Sequence, residues 1–418
     1  MSSYITRKTP GNTEWFVHDR FGMFIHWGLY SMPARHEWVK NHEKLTNEDY
    51  QKYFDHFDPD LYNPTEWAKM AKAAGMKYVV ITTKHHEGFC MWDSQYTDYK
   101  CTNTPAGRDL IREFVDAFRA EGIKIGFYYS LLDWHHPDYT LDNCHPQRDL
   151  LADKAKADAF NEGRDMERYR QYMKNQVTEL LTNYGQIDII WFDFSWKDGK
   201  GRDDWDSEGL LKHAKSLQPN IIVDDRLDLK DIWGGWDIMT PEQTKVASCP
   251  TWNGEKATWE TCQTFSGSWG YHRDETSWKS MPQLLELLIE TVSKEGNLLL
   301  NVGPTSRGEF DYRAQERLEG LGKWMHANSR SIYGCTAAPE GFNAPERTLL
   351  TYNPETRRLY IHLIDYPMGS LRFDFADKVE YAQFLHDGSE IKFSKDSFSL
   401  PVLKPDVEIP VIEVFLKD

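Results

Sequence analysis

Basic residues are in short supply in this chain: 49 Lys and Arg stand against 65 Asp and Glu, for a formal charge of −16, and nowhere do they gather into a patch. Nucleic acid and anionic membranes both need clustered positive charge, so neither is an expected partner. Long apolar runs are missing too. No stretch reaches about 18 apolar residues, so no membrane-spanning helix is expected, and the start, Met1 to Lys8, lacks the apolar segment of a secretory signal. The sequence as given therefore predicts a cytoplasmic protein; a chain from which such a signal had been trimmed would begin in the same way. Cysteine is sparse and scattered. Cys90, Cys101, Cys144, Cys249, Cys262 and Cys335 show no CxxC spacing, which in a chain this large reads as free thiols rather than disulfides or a zinc knuckle. No internal repeat and no low-complexity segment is visible.

What the chain has in quantity is aromatic surface, with 16 Trp and 21 Tyr. Aromatic faces stack on the C–H faces of sugar rings while indole and phenol groups bond hydroxyls, although any one of these side chains also serves to fill a core. The aromatics accompany eight apolar runs of strand length: Phe21 to Ile25, Tyr78 to Thr83, Ile123 to Tyr128, Ile187 to Asp193, Ile221 to Asp225, Asp237 to Thr240, Trp259 to Thr264 and Asn297 to Val302. At or just past their C-terminal ends stand His26, His85 and His86, Tyr128, Asp193, Arg226, Glu242, Glu260 and Asn301. In a (β/α)8 barrel, catalytic residues sit at the C-terminal ends of several strands because eight loops converge there.

Between most of these runs lie helical patterns. Asn63-Pro64-Thr65-Glu66 reads as an N-cap, a first-turn proline and a capping glutamate, with Gly75 as the stop and Trp67, Met70, Ala71 and Ala74 as the buried stripe. Met166 to Tyr184 and Ser280 to Lys294 are two further helices, each leading through a glycine into a strand. Lys245 to Ala257 carries no helical period and is expected to form a loop over the cleft. After Gly334 the alternation gives way to short strands alone, with turn signals at Asn353-Pro354 and Asp387-Gly388. The expected organisation is an α/β chain: a (β/α)8-like, TIM-type barrel over residues 1–335, followed by a small antiparallel β-sandwich over 336–418.

Asp193 is the sharpest chemical candidate, because it ends an almost wholly apolar run and a carboxylate there costs several kcal/mol to desolvate unless compensated. Arg226 is the candidate for that compensation. Two residues compete as a second carboxylate. Glu242 opens a long loop and suits a group that must reach a leaving group and then water, whereas Glu260 lies within a strand; Glu242 is favoured as the acid/base and Glu260 is the alternative. Carboxylates about 5 to 5.5 Å apart make a retaining glycosidase, and about 6.5 to 9.5 Å apart an inverting one. His26, His85 and His86 do not follow HxH, HExxH or a zinc signature, so hydroxyl recognition suits them better than metal binding. A metal-dependent barrel hydrolase and a non-catalytic sugar-binding protein are the two alternative classes.

At these motifs the chain resembles the α-L-fucosidases of glycoside hydrolase family 29. The matching segments are Phe21-Gly22-Met23-Phe24-Ile25-His26-Trp27-Gly28, Lys84-His85-His86-Glu87-Gly88-Phe89, Trp191-Phe192-Asp193, Trp259-Glu260-Thr261-Cys262 with Ser268-Trp269-Gly270-Tyr271, and Gly296 to Pro304. The resemblance implies a barrel followed by a β-sandwich, no metal or cofactor, and a fucosylated oligosaccharide or glycoconjugate as the partner. It implies that Asp193 is the nucleophile of a retaining double displacement. His26, His85, His86, Glu37, Trp38 and Tyr128 then match sugar ligands, Arg226 lies near the ring oxygen, and Trp269 packs on the C5 methyl group. It leaves the choice between Glu242 and Glu260 open. Asn41 to Glu48 and Lys245 to Ala257 are expected to shape linkage preference.

Overall fold

Apolar runs separated by capped helices wind the first three hundred residues into a curled parallel sheet. The computed structural model describes residues 8–195 and 199–417. Strands β1 (Phe21–Ile25), β2 (Tyr78–Lys84), β3 (Lys124–Ser130), β4 (Ile189–Asp193), β5 (Ile222–Val223), β8 (Glu260–Thr264) and β9 (Asn297–Val302) form one seven-stranded sheet in the order β5-β4-β3-β2-β1-β9-β8. All the pairings are parallel. Nearly every strand residue is buried, as expected of a parallel sheet covered on both faces and written in near-continuous apolar sequence.

The expected sixth strand, Asp237 to Thr240, is not a ladder strand. This stretch carries only two isolated parallel bridges, Asp224 to Ile238 and Met239 to Trp259, which join β5 to β8 and close the barrel. Carboxylates supplement the few backbone bonds that remain, Asp237 N to Val223 O, Met239 N to Thr258 O and Glu260 N to Met239 O. Asp237 accepts from Val223 N at 2.8 Å and from Gly11 N at 2.8 Å, and Asp225 Oδ1 accepts from Thr240 N at 3.0 Å and Thr240 Oγ1 at 2.7 Å. A side-chain acceptor holds an N–H that β pairing would otherwise take, so the strand pattern is satisfied without a strand.

Lys245 to Ala257 does not cover the cleft. From Glu242 the chain descends outside the barrel, where Lys245 pairs with Glu290 and Lys294 Nζ donates to Val246 O. It then turns in a two-stranded hairpin, β6 (Thr251–Trp252) and β7 (Glu255–Lys256). Lys256 meets Glu295 just before β9 begins, at the end of the barrel remote from the strand C-termini. An extended segment thus takes the place of the usual return helix.

The helices follow their sequence signals. Pro64–Ala73 is capped by Asn63, whose side chain accepts from Glu66 N, and it buries Trp67, Ala68 and Ala71. Met166–Asn183 is capped by Asp165, and Met281–Ser293 by a Ser280–Gln283 capping box. Each such cap is worth roughly 1 kcal/mol.

Beyond residue 335 the chain is antiparallel β. Strands β10 (Thr336–Ala337), β11 (Thr348–Asn353), β12 (Arg358–Leu363), β14 (Val379–Phe384) and β16 (Val411–Leu416) form a sheet in the order β10-β11-β12-β16-β14, and β13 (Ser370–Arg372) pairs with β15 (Ser397–Ser399). Glu390 to Phe393 makes only isolated bridges. Alternation along β12 explains the docking. Leu359, Ile361 and Leu363 enter the sandwich core with Phe373, Phe398 and Val414, while Tyr360 joins the barrel core and His362 stacks on Trp324 of the last barrel helix. Period two gives one strand two covered faces.

Candidate active site

Strand periodicity places the site's floor and its chemistry together, because residues two apart point the same way. Phe24 precedes His26, and Trp191 precedes Asp193. Phe24, Tyr128 and Trp191 pack together inside the barrel. On this apolar floor opens a cavity of ≈ 60 Å³ lined by His26, Glu37, Trp38, His85, His86, Tyr128, Asp193, Arg226, Glu242 and Trp269, with Phe24, Trp191, Phe194 and Cys262. Ten of the eleven residues expected at the site are thus gathered in one place. Glu260 is the exception.

Asp193 is held from two sides. Arg226 Nη1 donates to Oδ1 at 2.9 Å and Tyr128 OH donates to Oδ2 at 2.8 Å. Charge-assisted bonds of this kind offset the cost of burying a carboxylate. Burial and the neighbouring Asp193 push the Tyr128 phenol well above its ordinary value, so it stays a donor. Arg226 lies 4.3 Å over the Trp191 ring and is fixed by Thr240, whose Oγ1 accepts from Nε at 3.1 Å and whose carbonyl accepts from Nη2 at 3.2 Å. The same Nη1 reaches Glu242 Oε2 at 2.9 Å. Those Asp193 and Glu242 oxygens can therefore be no more than twice that distance apart, within about 6 Å. The residue after Asp193, Phe194, has φ +82°, a left-handed conformation that costs a bulky side chain of order 1–3 kcal/mol. Its ring packs against Trp38 and His86, so the turn carries Phe194 into the cavity wall while Asp193 stays on the strand.

Two of the three histidines, His26 and His86, have hydrogen-bond partners that fix their tautomers. Ser130 Oγ donates to Leu132 O at 2.9 Å and so accepts from His86 Nδ1–H at 2.7 Å, leaving Nε2 as the acceptor in the cavity. His26 Nδ1 lies 2.6 Å from Asn301 Oδ1, an acceptor, which fixes the same tautomer; Asn301 is itself oriented by donating to Trp269 O at 2.7 Å. Burial, with neighbouring His85 second, drives both imidazoles well below their ordinary range. His85 stacks on Tyr128 and sits 3.5 Å from Glu87. Among the described residues, no three His, Cys, Asp or Glu side chains converge as a metal-holding group.

Glu37 organises one wall. Its Oε2 accepts from Trp269 N at 3.2 Å, Gly270 N at 2.9 Å and Ser268 Oγ at 3.3 Å, tying the loop after β8 to the chain after β1. Gly303 allows that loop to approach β9: a Cβ there would lie 2.6 Å from Gly270 C and Tyr271 N. Trp269 consequently stands beside His26, with ring centroids 5.1 Å apart, as an apolar face to the cavity.

Glu260 lies elsewhere. It is the first residue of β8, fully buried, and its Oε2 accepts from Tyr78 OH at the corresponding start of β2. It sits below the Trp191 floor, cut off from the cavity. Burial raises its carboxyl to about 7. Glu242, by contrast, has a side chain 44 % exposed and lines the cavity. Of Asn41 to Glu48, Leu45 to Glu48 line a separate depression of ≈ 240 Å³ together with Trp134, and none lines this cavity. Sequence reasoning passed over Phe24, Trp191, Phe194 and Cys262 as lining residues; the i−2 rule finds Phe24 and Trp191.

A carboxylate pair bridged by arginine at the C-terminal mouth of a parallel barrel, among neutral imidazoles and indoles, is the construction of a glycoside hydrolase. Comparison with known proteins narrows the class. The α-L-fucosidase family profile matches residues 5–330. The tissue α-L-fucosidase of Mus musculus is 31 % identical over 386 residues, covering 86 % of this chain and 79 % of the mouse protein. Among solved structures, α-L-fucosidase isoenzyme 1 from Paenibacillus thiaminolyticus superposes with a TM-score of 0.91 at 45 % identity, covering 97 % of this chain and 99 % of that one. A glycoside hydrolase family 29 α-L-fucosidase from Bacteroides thetaiotaomicron, trapped as a covalent intermediate with 2-fluoro-fucosyl fluoride, superposes with a TM-score of 0.84 at 28 % identity, covering 100 % of this chain and 98 % of that one. The chain belongs to the α-L-fucosidase family, glycoside hydrolase family 29.

Proposed function

We propose that the enzyme removes terminal α-L-fucosyl residues from glycans by retaining double displacement, with Asp193 as nucleophile and Glu242 as acid/base. The observation that carries this reading is the shared guanidinium. Asp193 and Glu242 both bond Arg226 Nη1 at 2.9 Å, a spacing suited to direct attack rather than to an intervening water. The covalent intermediate of the Bacteroides relative supports the same course.

In the first step a carboxylate oxygen of Asp193 attacks the anomeric carbon, the bond to the leaving oxygen breaks, and Glu242 delivers its proton to that oxygen. In the second, Glu242 takes a proton from water as that water attacks the same carbon and expels Asp193. Tyr128 and Arg226 keep donating to Asp193 throughout and thereby lower its basicity as a leaving group. The acceptor nitrogens of His26 and His86 take sugar hydroxyl protons, and Trp269 offers the apolar face that a 6-deoxy sugar's methyl group requires. Glu260 has no part in proton transfer, because the aromatic floor separates it from the cavity.

The test is turnover of an aryl α-L-fucoside. Asp193→Ala is expected to lose more than about 10⁴-fold in kcat. Glu242→Ala should lose about 10²–10⁴-fold on substrates with poor leaving groups and recover with azide as an α-fucosyl azide, the product of two inversions, whereas Glu260→Gln keeps its rate and gives no azide product. Azide rescue of the Glu260 variant and not of the Glu242 variant would reverse the assignment.

A further inference from the structure

A second, wider cavity of ≈ 580 Å³ adjoins the first and shares Asp193, Arg226 and Glu242 with it. Glu242 stands at the boundary between the two. The acid must face the glycosidic oxygen, so once the sugar fills the narrow cavity its leaving group has to extend past Glu242 into the wide one. The remaining charged groups there are Asp225, Asp228 and Lys230. Among the described residues, the cavity presents four carboxyl groups against two cations, and both cations are committed. Arg226 bonds Asp193 and Glu242, and Lys230 Nζ lies 2.9 Å from Asp225 Oδ2. Asp228 has only Arg202, at 3.9 Å, and that guanidinium is bonded to Asp231. With Glu242 protonated for the first step, an anion entering this cavity still meets an uncompensated negative charge and, among the described residues, no free cation.

We propose that this wider cavity is the leaving-group subsite and that its carboxylates, Asp228 foremost, select neutral aglycones over anionic ones. The proposal rests on the fucosidase reading of the site and adds the charge class of the substrate. It assigns specificity to the chain following β4 and β5, in place of Asn41 to Glu48 and Lys245 to Ala257, which line neither cavity.

The experiment compares 4-(2-carboxyethyl)phenyl α-L-fucoside with its primary amide. The two leaving phenols match in size and, with the charge insulated by two methylenes, nearly in acidity. In low-salt buffer above pH 6, kcat/KM for the amide is expected to exceed that for the acid about tenfold, and the gap should shrink to about twofold or less at 1 M salt, where the screening length falls to about 3 Å. Asp228→Asn suits the site because asparagine tolerates the φ of +58° found there, and it should narrow the low-salt gap about threefold. Lys230→Gln, which frees Asp225, should widen it. Equal rates on the two wild-type substrates, a gap insensitive to salt, or a gap unchanged in both variants would overturn the subsite while normal turnover of the amide left the fucosidase reading standing. Failure of the wild type on both substrates would bring down that reading and the subsite with it.

Discussion

Each proposed catalytic side chain works through a neighbour that sets its state. Asp193 depends on two donors, so Tyr128→Phe, which deletes one charge-assisted bond worth about 1.5–3 kcal/mol, should lower kcat/KM about ten- to a hundredfold with the melting transition little changed. Glu260 is informative for the opposite reason. Its folded value of about 7 is raised above the ordinary 4.5 by burial, so the folded chain holds a proton that the unfolded chain has released. That contribution to stability is fully present below about pH 4.5 and is lost as pH rises through about 7, a change of about 3 kcal/mol. Urea unfolding at pH 5 and pH 8 should therefore show a steeper fall for the wild type than for Glu260→Gln; identical slopes would mean that Glu260 is not protonated in the folded state. The histidines, Asp193 and Arg226 were legible from sequence because strand-end polar residues in an apolar run have few other reasons to be there. The choice between the two glutamates was not, since depth along the barrel axis decides it. A strand's first residue and the residue just past a strand's end are separated by the whole floor of aromatic rings.

Among the elements, β2 and the loop after β3 carry a buried pair that explains how His85 and His86 are held. Lys84, at the end of β2, donates to Asp133 Oδ2 at 3.2 Å and lies over the rings of Tyr129, Tyr169 and Tyr172. Asp133 Oδ1 accepts from His135 N and His136 N, and the next residue, Trp134, donates its N–H to His86 O at 2.8 Å. Gly88, at φ +84°, leaves room for this carboxylate, which a Cβ would meet at 2.1 Å. Breaking the pair by Asp133→Ala should cost about 3–5 kcal/mol in denaturant unfolding, because it strands a buried ammonium; a loss under 1 kcal/mol would show that the aromatic rings alone satisfy Lys84. Asp133, His135 and His136 line neither cavity and brace the strand end that presents His85 and His86. The strands and capped helices were readable because period and caps are local. The sixth strand was misread because the Asp237 carboxylate takes the N–H of Val223 and the Asp225 carboxylate that of Thr240, leaving only scattered backbone bonds to either neighbour, and a carboxylate acceptor leaves no mark on hydrophobic period.

For the molecule as a whole, the sandwich is bound to the barrel by more than a linker. Tyr360, Leu385, Ile409 and Val411 belong to the same apolar cluster as the barrel helices, Trp324 Nε1 donates to Ile409 O at 3.3 Å, and Arg330 reaches Glu413 at 3.0 Å. Calorimetry should accordingly record one cooperative transition rather than two, and a chain ending at residue 335 should aggregate, with its last helix bared. Two resolved transitions would refute that coupling. The barrel's own weakness lies at the seam between β5 and β8, where isolated bridges and side-chain acceptors stand in for a ladder. Native-state amide exchange should find this gap, with the N–H groups of residues 237–242 opening at a lower free energy than those of β1 to β4. Glu242 hangs from that gap and Asp193 from a strand paired along its whole length with β3. The enzyme thus mounts the group that must make a bond to carbon on a laddered strand, and the group that must pass a proton first to a sugar oxygen and then from water on the part free to shift between them.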